Sequence, residues 1–258
     1  MKALIFAAGL GTRLKPLTDT MPKALVPVGG RPLIEHVALK LKKAGIEEGV
    51  VNVHHFAGQI EQWIRNQDIM SLEVSDESEL LLETGGGVLH ARPLLEGCGR
   101  FLVHNVDILS DLDIRWFESC VKEDALATLL VSDRKTSRYL LFDPDTMRLV
   151  GWTNTSTGEV RSPYPDLDVA GCVRMAFSGI HILSDEVFGH LQAYAREKGL
   201  CQDPGNPRFP IMDFYLSVCS RSNIYGVKAD DLHLVDVGKL DTVKQAEEML
   251  GKFFGKII

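Results

Sequence analysis

The chain has 258 residues, of which 45% are hydrophobic and 24% are charged, a composition typical of a globular protein with one sizeable core. Its formal net charge of −7 argues against a protein that binds nucleic acid or an anionic membrane, because neither would be attracted to the molecule as a whole. No apolar stretch of the sequence approaches the roughly 20 residues of a membrane-spanning helix.

The cysteines and the amino-terminal segment favour a cytoplasmic protein. The five cysteines are scattered and form no CxxC pair, so reduced thiols are a better interpretation than a disulfide framework or a zinc site. The start MKALIFAAGLG superficially resembles a secretion signal, but Arg13 and Lys15 follow at once and leave its apolar run short. About twenty residues follow Gly238, so we expect no second catalytic domain.

The first part of the chain predicts strands that alternate with helices. The apolar run at residues 3–8 predicts a strand buried on both faces. Residues 9–30 are rich in Gly, Pro and Thr and predict a long loop with a binding role. A helix is predicted from Pro32 to Gly45. The other predicted elements of this part are strands at 49–53, 71–74 and 100–104, a helix at 58–66, and a helix that follows the TGGG segment and runs to Leu95.

This alternation indicates an α/β fold with a mostly parallel sheet and helices on both faces. Beyond Asp111 the pattern changes, and residues 153–170 are predicted to be a polar surface loop or lid. The absence of a composition break indicates a single domain over residues 1–258. The elements predicted here are strands at 125–131, 139–142, 147–152, 173–183 and 232–237, and helices at 112–122, 184–197, 211–220 and after Leu240. The apolar tail Phe253, Phe254, Ile257 and Ile258 could dock on its own domain or on a partner, which leaves the oligomeric state open.

A glycine loop follows the first predicted strand. Gly9-Leu10-Gly11-Thr12-Arg13 is suited to bind phosphate, because glycines allow close approach and successive N–H groups form an anion nest. Leu14 stands where a dinucleotide-binding fingerprint has its third glycine, and no GK[ST] follows as in a P-loop. The alternative interpretation of the glycines alone is a tight strand-to-helix turn.

Lys23 lies between two prolines, Pro22 and Pro27, in an apolar and stiff segment. An unpaired ammonium would be costly there, so we predict that Lys23 is held for a purpose. Five basic residues and one acid stand between Met1 and Leu33, which suits a small polyanion. The basic residues are Lys2, Arg13, Lys15, Lys23 and Arg31.

The run AAGLGTRLKPLT…MPKALVPVGGRPLIEH resembles the amino-terminal signature of the sugar-1-phosphate nucleotidyltransferases. The resemblance implies the Rossmann-like fold of that family, with a nucleotide-binding half at residues 1–110 and a sugar-phosphate-binding half at residues 111–258. It also implies that Arg13 and Lys23 are catalytic and act on the triphosphate. The residues that it places at the nucleotide are Ala7, Ala8, Gly9, Gly11 and Thr12.

The segment LETGGG is similar to the branch of this family that makes UDP-N-acetylmuramic acid. By this resemblance Glu83, Thr84, Gly85 and Gly86 close over the base, ahead of a helix. Three consecutive glycines have an alternative interpretation as a flexible helix start, although each costs about 1 kcal/mol in an ordered helix.

Two aspartates match metal ligands of the family. Asp107 follows His104-Asn105-Val106, where the family usually has Asn-Gly-Asp, and Asp236 stands in Leu234-Val235-Asp236-Val237-Gly238. The resemblance implies that both hold Mg²⁺, which commonly takes one or two carboxylates. A strand-end aspartate alone is as often a turn or a helix cap.

The resemblance places Asn105 and Gly179, in Phe177-Ser178-Gly179-Ile180, beside the sugar. The Glu-Lys-Pro motif of some relatives is absent, so the residue that grips the sugar phosphate is unassigned. The implied substrates are a nucleoside triphosphate and a sugar 1-phosphate, with UTP and N-acetylmuramic acid 1-phosphate favoured. The alternatives are GTP with mannose or heptose 1-phosphate, CTP with a phosphorylated alcohol, and a catalytically silent nucleotide-sugar-binding regulatory protein. The retained Arg13, Lys23, Asp107 and Asp236 argue against the last of these.

Overall fold

The computed structural model describes residues 1–200 and 206–254. The strands, in chain order, are β1 (Lys2–Phe6), β2 (Pro27–Val28), β3 (Arg31–Pro32), β4 (Glu48–Val53), β5 (Ser71–Asp76), β6 (Arg100–Asn105), β7 (Ile108–Ser110), β8 (Ala127–Ser132), β9 (Arg138–Phe142), β10 (Leu149–Asn154), β11 (Glu159–Arg161), β12 (Val173–Ser184), β13 (Ile224–Lys228) and β14 (Leu234–Asp236). The helices are α1 (Leu33–Lys43), α2 (Ala57–Asn66), α3 (Glu83–His90), α4 (Arg92–Leu95), α5 (Ile114–Ser119), α6 (Val187–Glu197), α7 (Ile211–Val218) and α8 (Leu240–Met249). Across these ranges, none of the helices has the length and apolar character needed to cross a membrane.

The chain forms two compact units, and each is assembled from separate stretches of sequence. The first unit contains Met1–Leu81, Val103–Arg115 and Leu232–Ile258. The second contains Leu82–Leu102 and Trp116–Asp231. Because the first unit returns to the carboxyl-terminal part of the chain, residues near 107 and 236 belong to the same unit as the amino-terminal loop.

The first unit is built on a parallel sheet. Strand β4 pairs in parallel with β1 and with β5, in the registers Leu4↔Val50 and Val50↔Glu73. The centre of β1 is fully buried, which confirms the predicted strand with two covered faces. Helix α1 confirms its prediction as well, since Pro32 precedes its first residue and Gly45 follows its end with a φ of 84°. The α/β class with parallel pairing is therefore confirmed in this unit.

The second unit has a mixed sheet. Strand β8 pairs in parallel with β13 and antiparallel with β12, and β12 continues antiparallel to β9. The hairpin predicted around residues 143 and 144 is confirmed as β9 and β10. The predicted loop or lid at residues 153–170 is wrong in part, because β11 lies within it and pairs with β10. All three β11 residues are exposed, so this edge strand carries no apolar pattern that a sequence could reveal.

Three other predictions need correction. Residues 9–30 are not a structureless loop: they contain three 3₁₀ turns and the short β2–β3 pair, pinned to the core by buried side chains such as Leu14 and Val28. The glycines of LETGGG lie inside α3 rather than ahead of it. Helix α8 buries Ala246 and Met249, whereas Leu240 of the predicted apolar face is exposed. The predicted docking of the apolar tail lies outside the described side chains.

Helix α1 offers a direct test of core packing. Leu41 is fully buried and Leu39, two positions earlier, is 36% exposed. We expect Leu41→Ala to lower the free energy of unfolding by about 2–5 kcal/mol, because it removes buried methyl groups and leaves a cavity. The matched change Leu39→Ala should cost about 0.5 kcal/mol or less. Urea unfolding of both variants checks this, and equal losses would contradict the assigned burial of the two faces.

Candidate active site

The glycine loop is shaped by one left-handed residue. Gly11 has a φ of 63°, a region that side chains disfavour, and its carbonyl accepts hydrogen bonds from Leu14 N and Thr18 Oγ1, each at 2.9 Å. A side chain at Gly11 would place its first carbon 2.9 Å from Thr18 Cγ2 and 3.0 Å from Lys23 Cβ. The turn therefore requires glycine, and it brings the loop against the stem of Lys23.

Lys23 is buried and paired, as its apolar setting predicts. Its side chain is 11% exposed, and the ammonium donates a hydrogen bond to Asp107 Oδ2 in an ion pair. The 3₁₀ turn Lys23–Leu25 fixes the backbone, and its neighbour Ala24 is fully buried. An ammonium at this depth needs an anion, and Asp107 supplies it.

A short antiparallel ribbon brings Asp107 and Asp236 together. Strand β7 begins directly after Asp107 and pairs with β14, with Asp236 opposite Ile108. Val237 N also donates to the Asp107 carbonyl at 2.8 Å. The backbones of Asp107 and Asp236, which are far apart in sequence, thus lie next to each other at the end of one ribbon, with Asp236 exposed and Asp107 half-buried.

Arg13 reaches the same ribbon. A first side-chain carbon on Gly238 would lie 2.9 Å from Arg13 Nη2 and 2.8 Å from Asp236 Oδ1, so the guanidinium and this carboxylate flank one point. Arg13 is otherwise exposed. The first unit therefore gathers two cations and two carboxylates, and such a group can hold an anionic ligand while leaving it accessible.

The carboxylate pair suits a hard divalent cation. Asp107 and Asp236 offer oxygen donors, which Mg²⁺ prefers, and one or two carboxylates are its usual protein complement. The Lys23 ammonium at Asp107 Oδ2 demonstrates that positive charge is favoured at this place. Over residues 1–200 and 206–254, no group of three or more His, Cys, Asp or Glu side chains could hold a metal ion.

A buried polar chain joins the ends of β1, β4 and β5. Asn52 Oδ1 accepts hydrogen bonds from Ala7 N at 2.7 Å and from Ala8 N at 3.3 Å. The Asn52 amide then donates to Glu77 Oε1 at 2.8 Å. Both side chains are almost fully buried, so this chain fixes the backbone of Ala7 and Ala8 where the predicted nucleotide loop begins. The loop residues Gly9 and Thr12 are exposed.

Residues 83–86 belong to the second unit and are fastened to its residues 207–211. Glu83 pairs with Arg208 at 3.2 Å, and Thr84 Oγ1 accepts from Ile211 N at 2.9 Å. Gly85 N and Gly86 N both donate to the Phe209 carbonyl, at 2.8 and 3.2 Å. A side chain at Gly86 would lie 2.2 Å from the Pro207 carbonyl, so the close approach that requires glycine is made by the protein's own backbone.

Asn105 and Gly179 fall in different units. Asn105 ends β6, and its carbonyl accepts from His104 Nδ1 at 2.8 Å. Complete burial lowers the pKa of His104 to about 4, so this imidazole is neutral at pH 7. Gly179 has a φ of 74° and lies at a register shift in the pairing of β12 with β8. Shifts of this kind often mark functional sites.

Val106 replaces the glycine expected before Asp107, and the structure accommodates it. Its side chain is 3% exposed, and its N–H donates to the Phe6 carbonyl at 3.1 Å. The valine therefore joins the core beneath the site and leaves the Asp107 carboxylate in place.

The structure thus brings Arg13, Lys23, Asp107 and Asp236 together in the first unit, beside the loop that follows Ala7 and Ala8. Glu83, Thr84, Gly85, Gly86 and Gly179 lie in the second unit. Asn52 and Glu77 are not among the site residues predicted from the sequence. A signal existed for Asn52, since it is the polar member of a buried parallel strand, GVVNV, where apolar residues are the rule.

The chain resembles known proteins in both sequence and fold. The chain matches the model of the family described as Nucleotidyl transferase over residues 2–150. It is 36% identical over 194 residues to the N-acetylmuramate alpha-1-phosphate uridylyltransferase of Caulobacter vibrioides, covering 72% of this chain and 76% of the relative. It is 32% identical over 253 residues to the enzyme of the same name from Neisseria meningitidis serogroup B, covering 97% and 99%. The solved UDP-glucose pyrophosphorylase of Acinetobacter baumanii shares the fold, with a TM-score of 0.71, 17% identity and coverage of 99% of this chain and 97% of that one.

The hydrogen bond between Asn52 and Glu77 predicts that a substitution at one residue can be compensated by a substitution at the other. Asn52→Asp keeps an oxygen for Ala7 and Ala8 but sets a second carboxylate against Glu77, so we expect a loss of about 1–3 kcal/mol in the free energy of unfolding. Glu77→Gln should be close to neutral, since the new amide still offers an oxygen to Asn52. In the double variant the new carboxylate accepts a hydrogen bond from the new amide, and most of the lost stability should return. Urea unfolding measures all three, and a double variant no more stable than Asn52→Asp would contradict the assigned chain.

Proposed function

Because the chain belongs to the nucleotidyl transferase family and is a sugar-1-phosphate nucleotidyltransferase, we propose that it joins UTP to N-acetylmuramic acid 1-phosphate and releases pyrophosphate. Two relatives named for this reaction support the choice of substrates, one of them along nearly the whole chain. The LETGGG segment supports it as well. The observation that carries the reaction type is the gathering of Arg13, Lys23, Asp107 and Asp236 in one unit.

The reaction joins two anions, so their repulsion is the first obstacle. An oxygen of the sugar 1-phosphate attacks the α-phosphorus of the triphosphate and forms a new phosphorus–oxygen bond. The bond from the α-phosphorus to its bridging oxygen breaks, and its electron pair leaves with pyrophosphate. The attacking oxygen is already ionised at neutral pH, so no general base is required. Positioning and electrostatics then supply most of the acceleration.

The two cations have separate tasks in this proposal. Arg13 is exposed and offsets the charge that develops on the departing pyrophosphate. Lys23, held by its turn and by Asp107, stabilises the negative charge that concentrates around the α-phosphorus in the transition state. Because the backbone of Lys23 is fixed in a buried turn, little reorganisation of this residue is needed when that charge appears.

Asp107 and Asp236 would hold Mg²⁺, which when bound neutralises phosphate oxygens and lowers the repulsion between the substrates. Asp107 has a second task that the structure makes explicit, since it keeps the Lys23 ammonium in position. The antiparallel ribbon keeps Asp236 beside it.

The remaining site residues are assigned to the two substrates. We assign Ala7, Ala8, Gly9, Gly11 and Thr12, together with residues 83–86, to the nucleotide. Asn105 and Gly179 are assigned to the sugar. We place the reaction in the cytoplasm, in keeping with cysteines that are scattered along the sequence and form no CxxC pair.

The substrate assignment is tested by a matrix of the four common nucleoside triphosphates against several sugar 1-phosphates with Mg²⁺. We expect the largest rate of pyrophosphate release with UTP and N-acetylmuramic acid 1-phosphate. A higher kcat/KM with GTP and mannose or heptose 1-phosphate would overturn the substrates and keep the chemistry. No pyrophosphate with any pair would overturn the enzyme and favour a nucleotide-sugar-binding regulatory protein.

The role of Lys23 predicts a large kinetic defect. Lys23→Ala should lower kcat about 10²–10³-fold, the loss typical of removing one preorganised electrostatic contact. Lys42→Ala is the matched control, because the Lys42 side chain is 48% exposed and lies outside the site. Steady-state pyrophosphate assays compare the two, and near-normal turnover in Lys23→Ala would refute its role.

The role of Asp107 predicts a loss of Mg²⁺-supported activity. Asp107→Asn keeps the shape of the side chain but removes the charge that attracts both Mg²⁺ and Lys23, so Mg²⁺-supported activity should be abolished and only a small residual rate should be left at every Mg²⁺ concentration tested. Asp133→Asn, at a side chain that is 76% exposed, is the control. An unchanged Mg²⁺ titration of Asp107→Asn would remove Asp107 as a ligand.

A further inference from the structure

Two side chains on one face of α1 contact the two segments that carry the charged residues of the site. His36 and Lys40 are four residues apart and therefore neighbours on the helix surface. His36 Nε2 donates to the Val28 carbonyl at 2.8 Å, in the β2–β3 pair that follows Lys23. Lys40 Nζ donates to the Ser110 carbonyl at 2.8 Å, in β7. A single helix thus contacts the segment that carries Lys23 and the ribbon that carries the carboxylates.

The β7–β14 ribbon is short, so contacts with the rest of the unit are important for its position. Strands β7 and β14 have three residues each, and Ser110 pairs with Leu234 at the end opposite Asp236. Ser110 is 1% exposed, and its carbonyl is where the Lys40 side chain meets the ribbon. A shift of this carbonyl would be passed along β7 toward Asp107.

We propose that Lys40 is a positioning residue, whose ammonium holds the Ser110 carbonyl and thereby fixes the ribbon with Asp107 and Asp236 in their productive places. This inference rests on the proposed function, because it assigns Lys40 a task in presenting the two carboxylates to the substrates. The contact of Lys40 with the ribbon is made at Ser110, away from the strand ends that carry the two carboxylates.

Burial of Lys40 acts against the positive charge of its ammonium. Burial is the main influence and lowers the Lys40 pKa from 10.5 to about 8, opposed by Asp111 and Asp113 and aided by Lys43, while His104 nearby is neutral. Because the folded-state pKa is below the unfolded one, the unfolded chain binds more protons between pH 8 and 10.5, and stability rises with pH across that window. At neutral pH the folded protein is therefore less stable with the charged ammonium than it would be with a neutral amine at this position.

The test compares Lys40→Met, which keeps the apolar stem, with Lys40→Arg, which keeps the donor and the charge. Lys43→Met, at an exposed lysine of the same helix, is the control. The measurements are kcat, KM for both substrates, the Mg²⁺ concentration for half-maximal activity, and the Tm with and without Mg²⁺ and the triphosphate.

We expect Lys40→Met to lower kcat about tenfold and to raise the Mg²⁺ requirement, the effect of losing one charge-assisted hydrogen bond. Its KM for the sugar 1-phosphate should stay close to that of the wild type, and its Tm without substrates should be unchanged or higher. Lys40→Arg should regain most of kcat. The added Tm from Mg²⁺ with the triphosphate should shrink in Lys40→Met and stay in Lys43→Met.

Full kcat in Lys40→Met would overturn the inference, as would a fall in Tm that accompanies the fall in kcat, or an equal kinetic defect in Lys43→Met. The proposed function fails separately. A wild-type protein that releases no pyrophosphate overturns that function and the positioning role with it, whereas an active wild type with an equally active Lys40→Met overturns the positioning role alone.

Discussion

The ion pair between Lys23 and Asp107 is the contact on which the site depends. The lysine comes from a turn near the amino terminus and the aspartate from the turn between β6 and β7, and both side chains are largely removed from water. A buried charge without its partner is strongly unfavourable, so each residue fixes the other and the two chain segments stay in register. The same aspartate is tied through its carbonyl to Val237, which adds the Asp236 ribbon to the group. The site therefore gathers positive charge in one place, although the net charge of the whole protein is −7.

The parts of the site that follow local rules could be predicted. Gly11 and Lys23 lie in a short segment whose glycine and proline content restricts the backbone. In the structure the two residues are in contact, since a first side-chain carbon at Gly11 would lie 3.0 Å from Lys23 Cβ. Asp107 follows a predicted strand and Asp236 lies near the end of another, although their adjacency comes from a ribbon whose β7 half is too short to be foreseen. Only the family resemblance, and not the spacing of the two residues, predicts that Asp107 and Asp236 belong to one site.

Other parts depend on tertiary contacts that the sequence does not display. Glu77 lies in the polar run SDESEL, and nothing in that run distinguishes the one carboxylate that becomes buried against Asn52. The glycines of LETGGG are predicted ahead of a helix, yet they lie inside α3, where Phe209 occupies the space beside Gly85 and the Pro207 carbonyl occupies the space beside Gly86. The strand β11 is exposed along its length, so only pairing with β10 defines it. In each case the structure depends on a contact with a distant residue, and no local sequence pattern identifies that residue.

Lys23 and Asp107 are proposed to act as one unit in pyrophosphate release. A double-mutant cycle in kcat tests it most directly, with Lys23→Ala, Asp107→Asn and the two combined, assayed at saturating substrates and Mg²⁺. We expect strong non-additivity, with the double variant little slower than the slower single variant, because either change already disables the pair. Losses that multiply across the two sites, or a double variant that retains near-normal turnover, would contradict it.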